Sequence, residues 1–226
     1  MSLLNGISAL GSGLSSYAEA GIKDEAARVK APLLNSVAPP TDAPTAAPDA
    51  PKPLPGPRVP DGVNPYGTGP HAAVLWQAER SIVGPESGGR ANAQNPVSSA
   101  GGLFQIINPT WDAAMRRMGL PVAESDAERN AQKYLPDLNT RVMRQINTDA
   151  AAALAAHDLP VNVQTLQAAH RLGPAGATLA VQAAMENPNA PLVGNGLALN
   201  AARGNGDISR LTVGQFLAKP YPGSGG

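Results

Sequence analysis

The chain contains no cysteine, so disulfide scaffolds, thiol nucleophiles and cysteine-ligated zinc are excluded and the fold must be held by packing. Net charge is also missing: 17 Lys and Arg balance 17 Asp and Glu. A neutral chain sets up no long-range field to gather nucleic acid, and binding driven mainly by phosphates is disfavoured. His71, His157 and His170 are the three histidines. They have no H-E-x-x-H or comparable spacing, so no metal site is expected. Aromatic residues make up only 4% of the chain, which leaves part of it with too little apolar bulk to build a core.

What is abundant is glycine and proline, and the prolines divide the chain. Across residues 36–69 stand Pro39, Pro40, Pro44, Pro48, Pro51, Pro53, Pro55, Pro57 and Pro60, interleaved with Ala, Thr and Asp. Each fixes its own φ, lacks an N–H and turns the preceding residue away from helix, so the stretch reads as a semi-rigid linker. Before it, in residues 1–35, Leu3, Leu4, Ile7, Leu10, Leu14 and Tyr17 recur at helical spacing. Gly6, Gly11, Gly13 and Gly21 weaken that helix by roughly 0.5–1 kcal/mol each relative to Ala, so it would need a partner. No Lys or Arg precedes the apolar run, unlike an ordinary secretory signal. The run also falls short of the about 20 apolar residues of a membrane span. A docking or assembly segment, a membrane-active helix and a disordered leader all remain open.

Residues 70–220 have the character of a globular, mainly α domain, and residues 221–226 read as a flexible tail. A first helix is expected over residues 72–83, carrying Leu75, Trp76, Ile82 and Val83, and closed by Gly84-Pro85. A second is expected over residues 109–118, with Asn108 as N-cap and Pro109 at the first helical position. Further helices are expected over residues 127–134, 138–157, 163–172 and 175–185. Residues 102–107 are the best strand candidate.

The stretch richest in chemistry runs from Gly84 to Trp111, GPESGGRANAQNPVSSAGGLFQIINPTW. Glu86 continues the apolar side of the first helix, so its carboxyl is expected beside an apolar surface, where desolvation raises its pKa. The helix C-terminus acts in the same direction. A carboxyl kept protonated in this way suits a general acid on a glycosidic oxygen. Ser87, Gly88 and Gly89 supply a hydroxyl and close backbone approach beside it. Gln105 could direct its amide towards sugar hydroxyls or an N-acetyl group.

Glu86-Ser87-Gly88-Gly89, Asn95-Pro96, Ser98-Ser99-Ala100, Gly102-Leu103-Phe104-Gln105-Ile106 and Thr110-Trp111 resemble the catalytic segment of the soluble lytic transglycosylase and goose-type lysozyme family. The form with P-E-S-G-G is most similar to bacteriophage versions. The resemblance covers the globular part. It implies a lysozyme-like α fold, peptidoglycan as substrate and Glu86 as sole catalytic acid/base, with Ser87, Gly88, Phe104, Gln105, Ile106 and His170 as substrate-binding residues. Ala169-His170-Arg171-Leu172-Gly173-Pro174 resembles the second sugar-contacting element, but His170 stands where a Tyr is usual and Arg171 where an Asn is usual. That element therefore brings no aromatic hydroxyl to the Glu side of the groove. Residues 187–191 and 211–217 are similar to the closing elements of the phage forms.

The reaction implied is cleavage between N-acetylmuramic acid and N-acetylglucosamine, with the C6 hydroxyl attacking to leave a 1,6-anhydro end and no cofactor. Ordinary hydrolysis would call for a second carboxylate; Asp112, Glu79 and Asp137 are the candidates, each expected to be a solvated or capping charge. The resemblance, together with the lack of an ordinary secretory signal, implies a virion protein acting in the host envelope, joined through residues 1–35 as a docking or assembly segment to tail or internal ejection proteins, with membrane contact left open. A glycan-binding virion module of little turnover, and a hydrolysing muramidase or chitin-degrading enzyme on the same fold, are the alternatives. The glycine-rich Gly194-Asn195-Gly196 and Gly204-Asn205-Gly206-Asp207 read as turns. Arg116-Arg117 reads as a solvated helix face. Ser98-Ser99 lacks a nucleophile-elbow setting.

Overall fold

The computed structural model describes residues 63–194 and 208–221. The N-terminal segment 1–35, the linker up to residue 62, most of the two glycine-rich turns and residues 222–226 lie outside the described residues. Within them the protein is mainly helical. Among the described residues there is no strand, only isolated bridges.

Helix α1 (Ala72–Ser87) turns Leu75, Ala78, Glu79 and Ile82 inward at helical spacing. It does not stop at Gly84-Pro85 as expected. Pro85 withholds one amide donor at an exposed turn, too little to end a helix whose inward face is already packed, and the chain continues to Ser87. Gly88 then ends it in the left-handed region (φ 62, ψ 26), its N–H reaching the Gly84 carbonyl at 3.0 Å. The extra turn places Glu86 on the helix itself, one turn beyond Ile82 and two beyond Glu79.

Helix α2 (Asn108–Arg117) has Pro109 in its first turn, but the capping position falls on Ile107. Asn108, expected to cap, instead accepts from Lys133 Nζ at 2.6 Å and donates to Asp126 Oδ1 at 2.9 Å. Helix α3 (Asp126–Lys133) starts at Ser125, whose hydroxyl accepts from the Glu128 amide. Helix α4 (Pro136–Ala155) carries Val142, Met143, Ile146 and Leu154 into the interior. Helix α5 (Val163–Glu186) opens with a reciprocal Asn162–Thr165 cap. It joins the two helices expected around Gly173-Pro174 into one bent run, with Gly173 at φ 74, ψ 163. Helix α6 (Val213–Ala218) repeats the capping device with Thr212 and Gln215.

Two apolar clusters form the core. One gathers Leu75 of α1, Leu154 of α4, Leu166, Leu172 and Val181 of α5 and Phe216 of α6. The other gathers Ile82 of α1, Phe104, Ile106, Trp111 and Met115 of the loop and α2, and Met143 and Ile146 of α4. Helices α1 and α4 thus belong to both. The clusters also redraw the domain limits. Tyr221, placed by composition in the flexible tail, is 6% exposed within the second cluster. Tyr66, placed in the linker, packs on the first. Each is an apolar ring next to proline-rich sequence, and ring burial outweighs the local preference for an extended, solvated chain.

The loop between α1 and α2 is held by buried polar groups. Residues 102–107 form turns rather than the expected strand, with single antiparallel bridges Gln94–Gly101 and Gly101–Ile106. Lys133, fully buried, donates to the Ser99 carbonyl at 2.7 Å as well as to Asn108. Asn139 Oδ1 accepts from the Phe104 amide at 3.3 Å. Gly102 makes this approach possible: its φ is +79, and a Cβ there would lie 2.3 Å from Asn139 Nδ2 and 2.5 Å from the Lys133 carbonyl oxygen.

Gly102→Ala is therefore expected to destabilise the domain by about 2 kcal/mol or more, combining left-handed strain with a clash against backbone. Gly119→Ala, at φ +66 with nothing within 4 Å, should lose only about 1 kcal/mol. Thermal unfolding compares them; equal losses would show that the close approach at Gly102 is not what requires glycine.

Candidate active site

Two carboxylates on α1 face the interior. Glu79, 6% exposed, is held by Arg144 of α4, with Nε at 3.1 Å from Oε2 and a second guanidinium nitrogen at 3.2 Å from Oε1. The Tyr66 hydroxyl donates to Glu79 Oε2 at 2.8 Å and itself accepts from Asn147 at 3.2 Å. Burial, then the Glu79 charge, pushes the Tyr66 hydroxyl well above its ordinary range, so it remains a donor. Glu79 was expected to be a solvated or capping charge. It is instead a saturated ion pair.

Glu86 is arranged differently. The Tyr221 hydroxyl donates to Oε1 at 2.6 Å, and His170 Nε2 of α5 lies 3.4 Å from the same oxygen. Among the described residues, Oε2 receives no hydrogen bond. The side chain keeps 20% of its surface exposed, against 9% for His170. Glu86 is thus a recessed carboxylate with Oε1 engaged and Oε2 left over among the described residues.

Its charge state departs from the expectation of a raised pKa. Burial is the largest influence and does push the carboxyl up. The hydrogen bond from His170 and its charge when protonated, the Tyr221 hydrogen bond and the Arg171 charge together outweigh it, and Glu86 sits below its ordinary value of 4.5. At neutral pH the group is therefore a carboxylate. Tyr221 shifts the other way: burial, then the Glu86 charge and hydrogen bond, hold its phenol well above 10.

Arg171 completes the cluster. Its Nη1 donates to the Pro220 carbonyl at 2.7 Å, and its guanidinium carbon stands 5.4 Å from the centre of the Tyr221 ring. The rings of His170 and Tyr221 are 6.5 Å apart and tilted by 34°.

Of the residues expected to bind substrate, His170 lies on Glu86. Ser87, Phe104, Gln105 and Ile106 are occupied by the fold. The Ser87 hydroxyl is buried, donating to the Val83 carbonyl at 3.2 Å and accepting from the Gly89 amide at 3.2 Å. Gln105 takes a positive φ of 47 and donates its amide to the Ala93 and Gly102 carbonyls at 3.0 and 2.9 Å. Phe104 and Ile106 are core residues, 1% and 2% exposed. Gly88 is exposed at the helix end. Asp112 pairs with Arg129 at 2.8 Å, and Asp137 is exposed in the first turn of α4. Arg117, expected to be solvated, pairs with Asp149 at 3.2 Å. Sequence reasoning missed Tyr221 and the clasp formed by Arg171. The available signal was one of only four tyrosines standing directly after the closing element 211–217.

No group of three or more His, Cys, Asp or Glu able to hold a metal occurs among the described residues, and no helix among them is long and apolar enough to cross a membrane. No protein-family model and no curated protein matches the chain.

Because the folded protein holds Glu86 below its unfolded pKa, its contacts stabilise the fold above about pH 4.5 and that contribution fades as pH falls through the folded value. Tyr221→Phe should accordingly lose about 1.5–3 kcal/mol at pH 7, the range for a hydrogen bond to a charged group, and less at pH 3. It should also raise the Glu86 midpoint, since burial keeps its upward push. Denaturant unfolding at both pH values and carboxyl carbon NMR measure this; an unmoved midpoint would mean that the hydroxyl does not act on the carboxylate.

Proposed function

We propose that the protein is a peptidoglycan lytic transglycosylase in which Glu86 is the single acid/base. The observation that carries this reading is the recessed Glu86 carboxyl, with Oε1 bound by Tyr221 and set against His170 while Oε2 receives nothing from the described residues. Such a group can present one oxygen to a substrate while the protein fixes the other. The substrate class and a lysozyme-like fold come from the resemblance of the 86–111 segment, as does a place in a phage particle, tethered through residues 1–35 and acting on the host envelope.

The state of the other carboxylates supports a scheme without a second one. Glu79 is taken up by Arg144 and Tyr66, and Asp112 by Arg129. With Glu79 and Asp112 committed to ion pairs, this reading has the sugar's own C6 hydroxyl as the attacking group, giving an anhydro end.

A depressed pKa constrains how Glu86 becomes an acid. A glycan strand lying over Oε2 displaces the remaining water and strengthens desolvation, already the largest influence on the group. The carboxyl then takes up a proton on binding, passes it to the leaving oxygen, and as carboxylate accepts the proton of the attacking hydroxyl.

One observation favours a second reading, a glycan-binding module with little turnover. The Ser87 hydroxyl, the Gln105 amide, Phe104 and Ile106 serve the fold rather than an open groove.

Clearing of purified cell wall in a zymogram separates the two. The enzyme reading expects clearing by the wild type, a loss of at least about 100-fold in Glu86→Gln, and products lighter by one water than reducing ends. Binding without clearing would establish the module, and reducing ends a hydrolase. On soluble glycan oligomers, activity should decline as pH rises, with the midpoint for kcat above that for kcat/KM, because only the former reports the complex. A midpoint for kcat at or below the free-enzyme value would exclude protonation on binding.

A further inference from the structure

We infer that Arg171 is a positioning residue that fastens the Pro220-Tyr221 segment across the domain so that the Tyr221 hydroxyl reaches Glu86. The inference rests on the reading of Glu86 as the acid/base, and it names a part of that site which comes from a distant stretch of chain.

Tyr221 lies three residues past α6 and 135 positions from Glu86 in the sequence. Its own segment supplies no helix or strand to aim it, since α6 ends at Ala218. Two contacts from Arg171 bear on it directly, the 2.7 Å hydrogen bond to the preceding carbonyl and the guanidinium over the ring. Planar guanidinium suits both at once, donating in its plane while its face lies against an aromatic ring. Arg171 is itself anchored. It sits on α5, two residues before the Gly173-Pro174 bend, beside Leu172 in the core. Its neighbour His170 meets Glu86 on the same oxygen that Tyr221 does. The dipeptide therefore grips the site twice, His170 at the carboxylate and Arg171 at the segment that carries the second donor.

A simpler role for Arg171 is its charge alone, which also favours ionised Glu86. The two accounts differ in coupling. The test reads the Glu86 carboxyl resonance by carbon NMR against pH in the full chain for wild type, Tyr221→Phe, Arg171→Met and the double variant. A fastening role predicts that Arg171→Met raises the Glu86 midpoint and that adding Tyr221→Phe raises it no further, because the hydroxyl is already displaced. Independent, additive shifts would overturn the inference. Arg171→Gln, neutral but still able to donate to the Pro220 carbonyl, should bring the midpoint back towards wild type relative to Arg171→Met; identical Gln and Met variants would leave only the charge and overturn it as well. If Arg171→Met fails to fold, Arg171→Lys decides, because it keeps the charge and loses the planar guanidinium. A Glu86 midpoint raised above wild type, with a smaller further rise on adding Tyr221→Phe than in wild type, supports the clasp, and a wild-type midpoint with an undiminished Tyr221→Phe shift rejects it. These readouts need no turnover, so an inactive wild type would count against the enzyme reading and leave this one standing.

Discussion

Helix α1 carries two carboxylates on the face that packs against the rest of the domain, and a carboxylate withdrawn from water must be compensated by donors and positive charge. The surrounding architecture answers that demand twice with the same kit. Glu79 takes a tyrosine hydroxyl from before α1 and a cation from α4. Glu86 takes a tyrosine hydroxyl from after α6 and an imidazole from α5. The two ends of the described chain are thereby drawn onto one helix, Tyr66 at its middle and Tyr221 at its end.

The difference between the two sites separates structure from chemistry. At Glu79 both oxygens are engaged and the side chain is 8% exposed, so the group has nothing to offer a ligand. At Glu86 the donors converge on one oxygen and a fifth of the side chain remains open. Compensation there is incomplete among the described residues, which leaves the group accessible from outside the protein. His170 meets the carboxylate, and Arg171 contacts the segment that brings the Tyr221 hydroxyl to it.

The loop that resembles a catalytic segment is in large part a structural element. Its glycine at position 102 admits Asn139 and the Lys133 backbone, its glutamine closes the turn from inside, and Phe104 and Ile106 fill the cluster beneath α1. A buried lysine donating to carbonyl oxygens fastens the loop to α2. The same cluster also seats Ile82, one turn before Glu86 on α1, and Tyr221, whose hydroxyl meets Glu86.

Helical class, the positions of five of the six described helices to within a few residues and the break at Gly173-Pro174 followed from the chain itself, and Glu86 and His170, both singled out there, lie together in the structure. They depend on periodicity, proline and local motifs, which act over a few residues and leave their mark in order along the sequence. The ionisation of Glu86 did not follow. Its local setting, an apolar helix face near a C-terminus, argues for a raised pKa, and the donors that reverse it arrive from 84 and 135 positions away. The same distance hid the role of Tyr221, whose neighbours read as tail, and the internal use of Ser87 and Gln105. Which groups meet a buried carboxylate is decided by packing between helices, and electrostatic compensation follows from that meeting rather than from any order of residues.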